Sequence, residues 1–253
     1  MQLTMLGVGS SAGTPVIGCQ CPTCLSDDPK NKRMRCSAAI STNKGEVILI
    51  DTGPDLRTQA LATGLNRVDA VLYTHTHADH LHGIDDLRAF CQIQKKQIPL
   101  YGKADAMQHI QQKFGYAIRA PGDFWDLPVL SLNTVQQAFK VLDVEIIPIP
   151  LKHGYSDILG YRIGNMAYLT DVSEIPESSL KLLSGLDILM LDCLRYQPHY
   201  THINVEQSLG YASRIGARDT YFMHMTHEIE YEKLSAELPA HIHVAYDGLK
   251  LNF

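Results

Sequence analysis

The sequence predicts an α/β fold. Short β-branched or apolar runs alternate with helical stretches, no fixed-period repeat or low-complexity tract breaks the pattern, and polar residues recur where the apolar runs end. In chain order, strands are expected at Gln2–Leu6, Gly45–Ile50, Ala70–Tyr73, Ile98–Tyr101, Val144–Ile149, Ala167–Thr170, Ile188–Leu191, Asp219–Met223 and Ile242–Ala245. Runs such as Val-Ile-Leu-Ile and Ile-Leu-Met-Leu are apolar at every position and suit strands covered on both faces. Helices fit between them at Asp55–Thr63, Ile84–Gln94, Ala104–Lys113, Pro176–Leu183, Val205–Ile215 and Tyr231–Leu238. The runs end on residues able to do chemistry: Asp51, His75, Asp171, Asp192 and His224. Loops converge at strand ends while the sheet holds their bases still, so five such endings suggest one shared site. For Asp192 a turn or helix-cap role fits equally well.

The 253 residues are 45% hydrophobic and 19% charged, enough to bury a large core. The 12 Pro and 18 Gly are dispersed and no polar linker divides the chain, so one domain over residues 1–253 is expected. A net charge of −5 offers no general basic field, which disfavours extended nucleic acid as a partner. No run approaches the ~18 apolar residues of a membrane helix. Met1–Gly18 lacks the pattern of a signal peptide, so a cytoplasmic location without membrane attachment is the default.

The decisive segment is Thr74-His75-Thr76-His77-Ala78-Asp79-His80. Packing alone gives no reason to gather three imidazoles and a carboxylate in six residues, whereas metal ligation does. Alternate residues of an extended segment share a side, so His75 and His77 can grip one ion. Asp79 and His80, where the chain turns into a helix, can face a second.

This segment resembles the signature of the metallo-β-lactamase superfamily, and the resemblance runs over nearly the whole chain. It implies a four-layer αββα sandwich with two metals at the sheet ends. By the same resemblance His153, Asp171 and His224 complete the ligand set, Asp171 as the bridging carboxylate, and Asp51 orients ligands from behind. The resemblance is strongest to the phosphodiesterase branch associated with the carbon–phosphorus lyase pathway of phosphonate degradation.

Cys19-x-Cys21-x-x-Cys24 places three thiolates within reach of one structural zinc, in a loop at about residues 18–36. From the residues alone the fourth ligand is His227, Cys36 or Cys193. The resemblance selects His227, three positions past His224. A redox role for Cys21-Pro22-Thr23-Cys24 lacks a thioredoxin-like context and leaves Cys19 unexplained. Zinc there would brace the segment carrying His224.

Two divalent ions, Mn or Zn with Fe also compatible, two carboxylates and a bridging hydroxide leave about one positive charge, suited to an anionic ester. Water activated by the metals supplies the attacking hydroxide near neutral pH. The expected activity is therefore hydrolysis of a small phosphodiester, with cyclic and nucleotide-like esters among the candidates. A leaving alkoxide needs a proton, for which His202 is the candidate and His199 the rival; Asp79 can additionally orient the nucleophile. Arg88 is a candidate substrate contact, with a surface ion pair as the alternative. Gly7-Val8-Gly9-Ser10-Ser11-Ala12 superficially matches a dinucleotide fingerprint but lacks a following helix. The competing readings are a lactone or thioester hydrolase on the same fold and a non-catalytic zinc- or cofactor-handling protein resembling pyrroloquinoline-quinone biosynthesis members. Nothing in the sequence argues for a particular assembly, and a homodimer stays open.

Overall fold

The computed structural model describes residues 1–123 and 125–253. Among the described residues, fourteen strands form two seven-stranded mixed sheets. The first half of the chain supplies β1 (Gln2–Gly7), β2 (Ser37–Ser41), β3 (Val47–Ile50), β4 (Ala70–Leu72), β5 (Ile98–Gly102) and β6 (Leu130–Thr134). The second half supplies β7 (Phe139–Val141), β8 (Val144–His153), β9 (Ser156–Ile163), β10 (Met166–Leu169), β11 (Ile188–Asp192), β12 (Asp219–Met223), β13 (Ile242–Val244) and β14 (Lys250–Asn252). One sheet runs β14-β1-β2-β3-β4-β5-β6 and the other β13-β12-β11-β10-β9-β8-β7. Each starts as antiparallel neighbours and becomes parallel, from β3 onward in the first and from β10 onward in the second.

Apolar side chains from both sheets make one continuous core, including Ile40, Ile48, Ile50, Leu72, Leu151, Tyr161, Leu169, Leu189 and Phe222. A second core joins the other face of the first sheet, through Leu49, Val71 and Leu100, to Leu56, Leu87, Phe90 and Ile110 from the helices. Every residue of β3, β4, β10 and β11 is buried, as the uninterrupted apolar runs require. The layers are thus helix, sheet, sheet, helix.

All six expected helical regions are present: Leu56–Thr63, Ile84–Gln94 as a 3-10 turn running into an α-helix, Ala104–Phe114, Glu177–Leu183 with a 3-10 end, Val205–Ile215 and Tyr231–Glu237. The helix at Val205 starts on a capping box in which Asn204 accepts from the Gln207 amide and Gln207 accepts from the Asn204 amide. Short helices at Pro22–Leu25 and Ala78–Leu81 add to these. The Gly-x-Gly match after β1 serves packing: a Cβ on Gly7 would lie 2.1 Å from the Arg35 carbonyl, so only glycine lets residues 33–35 close over the strand.

Candidate metal centre and its surroundings

Backbone geometry assembles the site before any side chain is considered. The segment leaving β4 bends at Thr74, and His77, itself extended, becomes the N-cap of helix Ala78–Leu81, which carries Asp79 and His80. His153 is the last residue of β8. Asp51, Asp171 and His224 follow the ends of β3, β10 and β12, and all three hold left-handed backbone, with φ of 60°, 57° and 60°. Non-glycine residues keep such angles only where their surroundings enforce them, and they concentrate at functional sites.

The seven side chains converge in two overlapping sets. His75, His77, His153 and Asp171 each bring a ligand atom within 4.8 Å of the others, and so do Asp79, His80, Asp171 and His224. Asp171 divides its oxygens between the sets: Oδ1 lies 3.8 Å from His75 Nε2, while Oδ2 lies 3.1 Å from His80 Nε2 and 3.4 Å from His224 Nε2. His75 Nε2, His80 Nε2 and His224 Nε2 are buried without a hydrogen-bond partner. Orphaned nitrogens facing a shared carboxylate are costly unless a cation accepts their lone pairs, so the residues present fit a pair of metal ions.

Groups behind the cluster fix the ring orientations. The Asp51 carboxylate accepts from His80 Nδ1 at 2.7 Å, from the Thr74 amide at 2.9 Å and from the Thr74 hydroxyl at 2.8 Å. That hydroxyl, having spent its proton on Asp51, accepts from His75 Nδ1 at 3.0 Å. His153 Nδ1 donates to the Thr201 carbonyl at 2.9 Å. In each ring the Nδ1 proton is committed and Nε2 is left for a ligand.

Asp192 does the same from the second sheet. It is fully buried at the end of β11, with Oδ2 3.3 Å from His202 Nδ1 and Oδ1 3.3 Å from His224 Nδ1, and its Oδ2 also accepts the Val172 amide. The turn or cap role weighed from sequence does not apply, since Asn204 caps the following helix. Its signal in the sequence was its position after an all-apolar strand.

Electrostatics follow from burial and these neighbours. Burial, reinforced by the surrounding imidazoles, pushes His75 well below the ordinary histidine value, and burial likewise lowers His153. Burial also opposes charge on His80 and His224, but the Asp171 carboxylate, with Asp51 beside His80 and Asp192 beside His224, overrides it. His80 is held well above the usual value and His224 rises to about 10. Asp79 and Asp171 stay well below the carboxylate range despite burial, held there by the His224 and His80 imidazoles.

A cleft of about 420 Å³ opens over the cluster, lined by His77, Asp79, His153, Asp171, His202 and His224 and walled by Ser11, Tyr155, Ser156, His199, Tyr200 and Thr201. His202 stacks on His224 with centroids 4.9 Å apart and turns Nε2 to 4.0 Å from Asp171 Oδ1. His199 stands farther out, with Nδ1 accepting from the Thr201 hydroxyl at 3.1 Å. Arg88 is placed elsewhere: its guanidinium reaches the Asp126 carbonyl at 3.4 Å, and it is absent from the described residues lining this cleft.

The cysteine trio converges on one histidine. The sulfurs of Cys19, Cys21 and Cys24 lie 3.3, 3.3 and 3.6 Å from His227 Nδ1. A tetrahedron with zinc–sulfur bonds of about 2.3 Å and zinc–nitrogen bonds of about 2.0 Å has a sulfur–nitrogen edge of about 3.5 Å, so this spacing fits a zinc ion. The Cys24 amide and the His227 ring bring the Cys21 thiol down to about 6, which favours thiolate. Cys36 and Cys193, the other fourth-ligand candidates, are buried in the core between the sheets. The loop is tied down independently by fully buried Arg33, which donates to the Thr226 carbonyl and to Asn31, and by Asn31 donating to Glu230.

Comparison with known proteins agrees with this architecture. The family model of the beta-lactamase superfamily domain matches residues 46–225. A solved diphosphatase from the PhnP family is 41% identical, with a TM-score of 0.93 over 100% of this chain and 97% of its own. A protein from Porphyromonas gingivalis called octanoyltransferase is 37% identical over 99% of this chain but only 51% of its own length, so the chain spans about half of that relative. Zinc-bound PqqB from Methylobacterium extorquens, 19% identical with a TM-score of 0.80 over 100% of both chains, shares the fold. Two mixed sheets between helices, a metal-ligand cluster at their ends and these matches establish that the chain belongs to the metallo-β-lactamase superfamily.

Proposed function

We propose that this chain is a metal-dependent phosphodiesterase acting on a small ester. The observation that carries the reading is the paired ligand set sharing Asp171, with orphaned imidazole nitrogens buried around that carboxylate beneath a polar-walled cleft. His75, His77 and His153 with Asp171 would hold one cation, and Asp79, His80 and His224 with Asp171 the other; Mn, Zn and Fe all suit such donors. Bound divalent cations supply neutralisation of phosphoryl charge and a lowered pKa for water.

The chain's own residues do the rest. Five neutral rings and two carboxylates leave two bound dications with net positive charge, which selects an anionic ester over a neutral lactone. Asp51, Thr74 and the Thr201 carbonyl keep the imidazoles in register, so little reorganisation accompanies reaction. His202, its Nδ1 toward Asp192 and its Nε2 toward the cleft, delivers a proton to the leaving oxygen; Asp192 is a positioning residue for that ring. Cys19, Cys21, Cys24 and His227 would hold a structural zinc that braces the loop after β12.

The diphosphatase among the solved structures supports phosphoryl chemistry, because a diphosphatase also breaks a bond at phosphorus. The transferase name belongs to a protein about twice as long and carries no weight for the matched half. Against the non-catalytic reading stands the complete ligand set. Metal-loaded protein should hydrolyse bis(p-nitrophenyl) phosphate and leave thioesters untouched; thioester or lactone turnover without phosphodiester turnover would refute the proposal.

A further inference from the structure

Two tyrosines on the cleft wall are left in water. Tyr155 is 107% and Tyr200 83% exposed, yet both line the cleft over the buried histidine–aspartate cluster. None of the other large apolar side chains that are similarly exposed, such as Ile17, Leu61 and Ile93, lines that cleft. Aromatic rings exposed at the mouth of a polar site lose most of their hydration penalty when a flat group covers them.

The two rings stand on loops that touch. Tyr155 sits in the two-residue turn joining β8 to β9, where His153 pairs with Ser156. Its neighbour Gly154 has φ of 58°, and a Cβ there would fall 2.8 Å from the Thr201 methyl group. Glycine therefore lets the turn close against the loop that carries Tyr200, and the His153 hydrogen bond to the Thr201 carbonyl fastens the same contact. Tyr200 already stacks on His199, with centroids 4.7 Å apart and planes inclined by 28°, and this holds its ring in a defined plane. Among the described residues no ring packs on Tyr155.

We propose that Tyr155 and Tyr200 form the seat of a planar heterocycle, so that the substrate is a nucleotidyl phosphoester whose base stacks on these rings while its phosphate faces the histidine cluster. This rests on the phosphodiester reading above. Stacking on aromatic side chains tolerates any base, since every base presents a π-face.

The test compares adenosine 5′-monophosphate with ribose 5-phosphate, which differ only in the base, by calorimetric titration of the full-length metal-loaded chain. The expected result is at least about tenfold tighter binding of the nucleotide. The preference should vanish in the Tyr155→Ala/Tyr200→Ala double variant and survive in Tyr155→Phe/Tyr200→Phe. Both side chains are exposed, so the variants should fold normally. Equal binding of the two phosphates by the natural chain, or a preference unchanged in the double alanine variant, overturns the inference and leaves the phosphodiester reading standing. Failure of both phosphates to bind defeats that reading itself, and the inference with it.

Discussion

The Asp51 carboxylate lies 2.7 Å from His80 Nδ1 and, through the Thr74 hydroxyl, also governs His75. One buried carboxylate therefore orients a ring in each of the two ligand sets. Asp51→Asn should retain the fold but weaken metal retention about 10–100-fold. Elemental analysis after dialysis against a weak chelator, with circular dichroism as the fold control, checks this; full occupancy would show that the hydrogen bonds are dispensable.

Metal binding should release protons. His80 and His224 are raised above their ordinary values, His224 to about 10, so at pH 7 each holds on Nε2 a proton that a cation must displace. His75 and His153 are depressed and have none to lose. Calorimetry in buffers of different ionisation enthalpy should report net proton release as the histidine cluster fills at pH 7. Apparent affinity should fall as the pH is lowered from 8 to 6. Uptake of protons, or none exchanged, would contradict the electrostatic description.

The two metal-binding clusters should empty separately. Chain purified without chelator should carry about three ions. His77 is exposed on the cleft wall, so His77→Ala should deplete the histidine cluster, leave the cysteine-bound ion and melt near the natural protein. Cys21→Ser should remove one zinc and lower thermal stability, with activity falling as the loop around His224 loosens. Simultaneous loss of all ions in either variant would argue against separate centres.

His202 and Asp192 should reveal themselves through the leaving group. His202→Ala is expected to slow an alkyl phosphodiester about 10²–10⁴-fold while affecting a p-nitrophenyl ester far less, because p-nitrophenolate departs without a proton. Asp192→Asn should share the discrimination in milder form and shift the basic limb of the pH–rate profile, since Asp192 faces His202 Nδ1. Equal losses on both substrates would assign these residues to structure alone.

The order of elements was legible where strands are covered on both faces and read as unbroken apolar runs, as at β3, β10 and β11. Strand β8 is expected from sequence over Val144–Ile149, yet it continues through Pro150 to His153. The prolines survive because β7 pairs only as far as Ile146, which leaves Pro148 and Pro150 on a stretch without a ladder partner on that side. Strand β2, Ser-Ala-Ala-Ile-Ser, lacks β-forming composition and β9 is interrupted by Gly160; both are fixed by their partners. Strands β6, β7 and β14 were also unforeseen, being short or polar.

Of the side chains that converge in the cluster, His75, His77, Asp79 and His80 were legible from their spacing, and His153, Asp171 and His224 only through the family resemblance. Asp192 was half readable, since a strand-end aspartate has several uses. Thr74, Thr201 and the two cleft tyrosines were not, because an acceptor carbonyl or an exposed ring leaves no distinctive pattern in one dimension.

The left-handed backbone at Asp51, Asp171 and His224 restricts which residues can ever occupy these corners. Apart from glycine, aspartate, asparagine and histidine are the types that tolerate that conformation best. Conformation and coordination therefore filter for the same short alphabet. A lineage drifting away from metal use would still be steered toward Asp, Asn, His or Gly at these three corners, and the sandwich would keep the means of regaining a lost ion.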